Sequence, residues 1–187
     1  MFDYAPLWND IGYEILEGNL VEGQKVRLAR TNKSSPEFLE SHSEIDDLIE
    51  FKAFNTEEEQ IQYLVDSIKK DIEENELKPE DIMIIHPNAL TARDKFGLAR
   101  YKLYEAGINS NLAGVTVSPD DFAQDDSVTF TSIFRAKGNE APMVYVINAD
   151  YCAQGVGLAT KRNILFTAMT RTKAWLRVFG VGSSMQI

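Results

Sequence analysis

Residues Ile82-Met83-Ile84-Ile85 form a short apolar run in which no polar residue alternates with the apolar ones. A strand with one face in water alternates. A strand that does not alternate is covered on both faces, and such strands belong to parallel sheets with helices above and below. This run therefore constrains the fold more than any other feature, and the surrounding pattern agrees with it. Ile61, Leu64, Val65, Ile68 and Ile72 recur at three- and four-residue steps, which predicts an amphipathic helix from Thr56. Thr56 with Glu59 makes a capping-box signature, and Glu57, Glu58 and Glu59 sit where the positive end of a helix dipole favours them. A second helix is expected from Thr91 to Ala106, stopped by Gly107, and a third from Ala159 to Thr170. Further strands are expected at Ile108 to Leu112, Val128 to Ser132, Met143 to Ile147 and Ala174 to Phe179. Alternating strands and helices predict an α/β fold with a largely parallel sheet, whose ligands ordinarily sit beyond the carboxyl ends of the strands.

The first fifty residues carry a weaker pattern. Gly12, Gly18 and Gly23 punctuate short apolar runs, one strand is expected at Lys25 to Ala29, and Pro36 to Glu40 can open a short helix. The chain of 187 residues is thus read as a leading segment, 1–50, and one α/β domain, 51–187.

Composition removes several classes of function. Cys152 is the only cysteine and His42 and His86 the only histidines, which leaves no internal disulfide and no spacing for a structural zinc site; no protein-held metal is expected. The opening Met1-Phe2-Asp3 lacks the basic-then-apolar pattern of a signal peptide, and there is no apolar run of about eighteen residues, so a cytoplasmic chain without a membrane partner is expected. A formal charge of -10 argues against a free-standing, nonspecific nucleic-acid binder. The charges are segregated, however. Arg135, Lys137, Lys161, Arg162, Arg171, Lys173 and Arg177 gather near the C-terminus, where they can form a local basic face.

No Gly-x-x-x-x-Gly-Lys-Ser/Thr loop occurs, so the chain has no P-loop with which to cradle the phosphates of ATP, and hydrolysis by this chain alone is not expected. Dinucleotide-binding and nucleophile-elbow signatures are absent as well. Two segments remain. In the first, Val128 to Glu140, an apolar strand runs out into Thr131, Ser132, Phe134, Arg135, Lys137, Gly138 and Glu140. The hydroxyls can donate to phosphate oxygens, Gly138 permits close backbone approach, and Glu140 can accept from a ribose hydroxyl or orient a magnesium-bound water. Taken alone, the plainer reading is a polar strand-to-helix turn with a solvated Arg-Lys pair. In the second, Arg162 to Lys173, a helix with an apolar face ends in Thr170-Arg171 just before the last strand. A guanidinium on so rigid an element can stabilise charge on a transferring phosphoryl group; taken alone, the plainer reading is a surface arginine favoured by the helix dipole.

Together the two segments resemble motifs V and VI of UvrD/Rep-type superfamily 1 helicases, whose pattern is roughly Thr-x-His-x-x-Lys-Gly-Leu-Glu, a strand, Asn-Leu-x-Tyr-Val-Ala-x-Thr-Arg-Ala, and another strand. Thr131, Lys137, Gly138 and Glu140 match the first motif, and Asn163, Thr170 and Arg171 the second, with a strand between. Phe134 stands where the family has His, and Asn139 where it has Leu. Phe134 can stack on a base, or equally be a buried core aromatic, but cannot hydrogen-bond to a phosphate.

The resemblance implies a RecA-like domain, the second of two, without a P-loop of its own. It implies that ATP and Mg2+ are held mainly by an N-terminal RecA-like domain of the same polypeptide, with Gly138, Glu140, Thr170 and Arg171 completing the nucleotide site and Arg171 acting as arginine finger. Thr131, Ser132, Phe134, Arg135 and Lys137 would line part of a track for single-stranded nucleic acid, expected to be DNA. The alternative is a degenerate RecA-like domain kept as a protein-interaction or regulatory module, since one fold serves many functions.

Overall fold

The computed structural model describes residues 4–10, 12–21, 23–31, 43–116 and 121–185. The helix expected at Pro36 to Glu40 lies outside them, as does His42. The chain divides into two compact units, Met1–Ile45 and Asp46–Ile187.

The first unit contains a short helix α1 (Ala5–Asp10) and an antiparallel pair, β1 (Tyr13–Glu17) and β2 (Arg27–Arg30). The strand expected at Lys25 to Ala29 is thus β2, which begins two residues later and ends one later, and its partner β1 was not foreseen. None of the residues of α1 is buried, and Trp8 meets Tyr13 edge to face with ring centroids 6.2 Å apart. Such a pair supplies local order without a core.

The second unit is an α/β fold built on a six-stranded parallel sheet of order β3-β8-β7-β4-β6-β5. Its elements are α2 (Ile45–Leu48), β3 (Ile49–Phe54), α3 (Glu57–Glu73), β4 (Ile82–His86), α4 (Ala92–Glu105), β5 (Ser110–Leu112), β6 (Val128–Ser132), α5 (Ile133–Ala136), β7 (Ala141–Val146), α6 (Leu158–Met169) and β8 (Thr172–Val181). All five residues of β4 are buried, as the absence of alternation requires. The edge strand β3 alternates between exposed and partly covered positions, so one of its faces meets water.

The two faces of the sheet have separate cores. On one face α3 and α4 pack Leu64, Ile68, Phe96 and Leu103 against Ile82, Ile84, Phe130 and Tyr145. On the other, α5 and α6 bring Ile133, Ala136 and Ala168 onto Met83, Ile85, Val144 and Val178. Phe96 and Phe130 cross edge to face at 5.0 Å, and truncation of a fully buried phenylalanine of this kind costs about 3–5 kcal/mol.

Helix α3 starts as its capping box predicts, with one change. The Thr56 hydroxyl accepts from the Glu59 N–H at 3.2 Å, but the Glu59 carboxylate reaches back to the N–H of Asn55, 3.0 Å away. Its inward stripe of Gln60, Leu64 and Ile68 is apolar except at the ends, where Gln60 and Asp71 are buried. Asp71 accepts from the Tyr145 hydroxyl at 2.5 Å and from Asn75 Nδ2 at 3.0 Å, which satisfies a carboxylate inside the core. Burial, first, and then the Asp71 carboxylate push the Tyr145 phenol well above its ordinary range.

β4 is followed by a helix on one face and β7 by a helix on the other, so the direction in which connections progress across the sheet reverses between these neighbouring parallel strands. The sheet thereby gains two distinct ends: an amino edge, where all strands begin, and a carboxyl edge, where all end.

Candidate functional site

At the amino edge, β7 and β8 begin side by side. The Ala141 N–H donates to the Arg171 carbonyl at 3.1 Å, and Ala141 is in register with Thr172. Glu140 and Arg171, which precede these two strands, are therefore carried by neighbouring rungs of one ladder, although they are far apart in sequence. Glu140 is exposed and Arg171 partly exposed. Among the described residues no ion pair ties either charge to a partner.

The Arg171 guanidinium is folded onto the end of its own helix. Nε donates to the Thr167 carbonyl at 3.1 Å and Nη2 to the Thr170 hydroxyl at 3.2 Å. Thr170 in turn donates to the same Thr167 carbonyl at 3.0 Å. These bonds satisfy a carbonyl that a helix end otherwise leaves open, and they occupy only part of a five-donor group.

Gly138 has φ +85°, and a Cβ placed there would meet nothing within 4 Å. The glycine is required by the left-handed backbone, not by crowding, and open space lies over it. Asn139 completes the turn, its N–H donating to the Ala136 carbonyl at 3.0 Å and its Nδ2 to the Arg135 carbonyl at 3.3 Å.

The other sequence-selected residues lie towards the carboxyl edge and on the connection leading away from it. Thr131 is 1% exposed, and its hydroxyl donates to the Ser132 carbonyl at 3.2 Å, so it is turned inward; Ser132 is partly exposed. Helix α5 is a single turn that buries Ile133 and Ala136 and thereby turns Phe134 and Arg135 outward. Phe134 is 61% exposed, and Lys137 Nζ lies 5.7 Å from the centre of its ring. The Arg135 guanidinium lies over the backbone of Gly114, where a Cβ would come within 1.9 Å of Nη2. The structure thus brings Gly138, Glu140, Thr170 and Arg171 towards the amino edge, and sends Thr131, Ser132, Phe134 and Arg135 to the other end, with Lys137 on the connection between.

Two features of the carboxyl edge escaped the sequence reading. Each connection that leaves it from β4 to β7 carries an exposed apolar side chain: Leu90, Val115, Phe134 and Val156 in turn. Their scatter along the sequence hides the row, because only the parallel topology aligns them. The second is a buried polar group where β4 and β7 end. Gln60 Oε1 accepts from the Asn148 N–H at 3.1 Å, while Gln60 Nε2, His86 Nε2 and Asn148 Oδ1 are buried without a partner among the described residues. His86 Nδ1 lies 3.0 Å from both the N–H of Asn88, from which one tautomer accepts, and the Asn88 carbonyl, to which the other donates. Burial, above all, lowers the His86 pKa from 6.5 to about 4; Lys95 adds to this, and Asn88, Asp150 and Glu57 oppose it. The sequence signal was a polar residue, Gln60, on the inward stripe of a helix.

Residues 127–179 match the family of the UvrD-like helicase C-terminal domain. That stretch is similar to a UvrD-type helicase C-terminal domain. Comparison with curated proteins gives no match. Among solved structures, the C-terminal domain of a possible DNA helicase from Lactobacillus plantarum WCFS1 superposes with a TM-score of 0.54 at 19% identity, covering 79% of this chain and 83% of that one. At that identity the likeness establishes the fold alone. An Arterivirus nonstructural protein 10, a helicase, in complex with DNA gives a TM-score of 0.42 at 14% identity over 90% of this chain and 39% of that one. Among the described residues there is no group of three or more His, Cys, Asp or Glu placed to hold a metal ion, and no helix is long and apolar enough to cross a membrane.

Proposed function

We propose that this chain holds the second motor domain of a cytoplasmic, ATP-dependent, UvrD-type helicase or translocase acting on single-stranded nucleic acid, in the first instance DNA. The observation that carries the reading is the Ala141–Arg171 backbone bond, which sets Glu140 and Arg171 side by side at the amino edge with both charges open.

ATP and Mg2+ would be held chiefly by a P-loop-bearing RecA-like domain of the same polypeptide, and the residues present here fit the far side of such a site. Glu140 offers an acceptor to a ribose hydroxyl or to a water on the metal. The open left-handed turn at Gly138 lets the nucleotide come close to the backbone, and Thr170 borders the helix end from which Arg171 reaches out. Arg171 exchanges its bonds to Thr167 and Thr170 for the γ-phosphate as the domains close, and it stabilises charge that develops on the transferring phosphoryl group. The carboxyl edge supplies the track, where the exposed Phe134 ring offers a stacking surface and Lys137 beside it a positive charge. Closure at one edge then alters contacts at the other, because both belong to one rigid sheet.

The assay that tests this is ATP hydrolysis by the complete motor. Arg171→Ala is expected to lower kcat by about 10³ to 10⁵ while ATP binding persists. The second reading, a degenerate module without an ATPase role, is favoured by the same two hydrogen bonds of Arg171, which are those of an arginine that only caps its helix. It predicts unchanged hydrolysis in that variant.

A further inference from the structure

A cleft of about 620 Å³ opens at the β5 side of the sheet, away from both the nucleotide-facing residues and the Phe134 surface, between the last turns of α4 and residues 124–127. Its walls include Arg100, Tyr101, Tyr104, Asn109, Asp125 and Asp126. Tyr101 and Tyr104 are 58% and 77% exposed, a large amount of aromatic surface left in water on adjacent turns of one helix.

Four features make the cleft predominantly negative. The carboxylates of Asp125 and Asp126 line it, and Glu105 adjoins it, accepting from the Tyr101 hydroxyl at 2.8 Å. The carboxyl end of α4, with its negative dipole, closes one side. The tyrosine faces carry the negative side of the ring quadrupole. Arg100, a cation in the lining, keeps its charge but is directed at neutral groups of Ser110, donating to the hydroxyl and the carbonyl, both at 3.2 Å; Lys102, outside the lining, donates to Gln62 Oε1 at 2.7 Å. The 124–127 segment is fastened in turn, with the Asp126 N–H donating to Glu80 at 3.2 Å and the Val128 N–H to the Asn109 carbonyl at 3.0 Å. The edge of β5 is closed to an added strand where Leu112 donates to the Thr116 hydroxyl at 2.8 Å and accepts from the Thr116 N–H at 3.1 Å, so the cleft receives side chains, not a backbone.

We propose that this cleft docks a basic segment of a partner protein, with a lysine or arginine head set over the rings of Tyr101 and Tyr104 and against the carboxylates of Asp125 and Asp126. Complementarity of charge selects the occupant: nucleic acid would bring phosphates against carboxylates, whereas a cationic side chain meets acid, helix end and aromatic face together. The inference is independent of the motor reading.

The test is a titration of the ¹⁵N-labelled chain, followed by amide chemical shifts, with a short Lys-Gly repeat peptide, with the same peptide carrying glutamate for lysine, and with a short oligothymidylate. Saturable shifts confined to Tyr101, Tyr104, Asn109 and residues 124–127, seen only with the lysine peptide, are expected. Tyr104→Ala and Asp125→Asn, both at exposed positions, should each weaken binding by about tenfold. Absence of saturable binding, shifts at the cleft with oligothymidylate, or a Tyr104→Ala variant that binds as tightly as the parent would each overturn the proposal.

Discussion

The two edges of the sheet are built from the same strands but by opposite means. At the amino edge the functional candidates are charged and open, and they are positioned by backbone: Glu140 and Arg171 owe their proximity to one N–H···O=C bond between Ala141 and Arg171. At the carboxyl edge several polar groups are turned inward, while Ser132 and Arg135 stay at the surface. Thr131 bonds to its neighbour's carbonyl, and Gln60 and His86 are sealed from water, while apolar side chains face out. An edge of that first kind suits a ligand whose charge changes during a reaction. The second suits a polymer held by stacking and apolar contact, whose identity along the chain does not matter.

Arg171→Ala is the most severe way to break this division. The contrast predicts a fall of about 10³ to 10⁵ in kcat of the complete motor with binding to a single strand unchanged, measured by steady-state hydrolysis beside fluorescence anisotropy. Loss of both properties together would mean that the edges are not functionally separate.

The next effect concerns the sealed polar group. The His86 pKa is lowered to about 4 in the folded chain from 6.5, so below pH 6.5 the unfolded chain takes up a proton that the folded one refuses. Stability is therefore expected to fall by about 3 kcal/mol as the pH drops from 6.5 to 4, beyond what His86→Asn shows over the same interval in chemical denaturation. Parallel curves for the two proteins would contradict the burial of a neutral imidazole.

A smaller effect sharpens the role of the carboxyl edge. Phe134→Ala should weaken binding of a single strand by about tenfold, the scale of one lost stacked base, and leave kcat at saturating strand unaltered. Because Phe134 is exposed, thermal stability should hardly change. The smallest effect tests the turn that leads into the amino edge: Gly138→Ala has space for its methyl group but must adopt φ +85°, at a cost of about 1 kcal/mol in denaturant unfolding.

Much of this fold was legible from residue patterns whose cause is local. The unbroken apolar run at 82–85 became the fully buried β4, and Thr56 does cap α3. β3 was missed because an edge strand of six residues that alternates, containing Glu50 and Lys52, lacks the signature of the inner strands. β1 was missed for a related reason: its residues pair with β2 but bury little, so they leave no hydrophobic period to read. At the candidate site, motif order selected Glu140 and Arg171, whereas the row of Leu90, Val115, Phe134 and Val156 and the meeting of Gln60, His86 and Asn148 arise from strand order, which no local pattern encodes.

The central claim is that Glu140 and Arg171 face one nucleotide from the amino edge of the sheet. A structure of the complete motor trapped with ADP, Mg2+ and a metal-fluoride mimic of the transferring phosphoryl group tests it directly. The account predicts the Arg171 guanidinium released from the Thr167 carbonyl and bonded to the fluoride, with Glu140 beside the ribose or a metal-bound water. A guanidinium still resting on Thr167 and Thr170, with the nucleotide meeting this domain at the carboxyl edge, would contradict it.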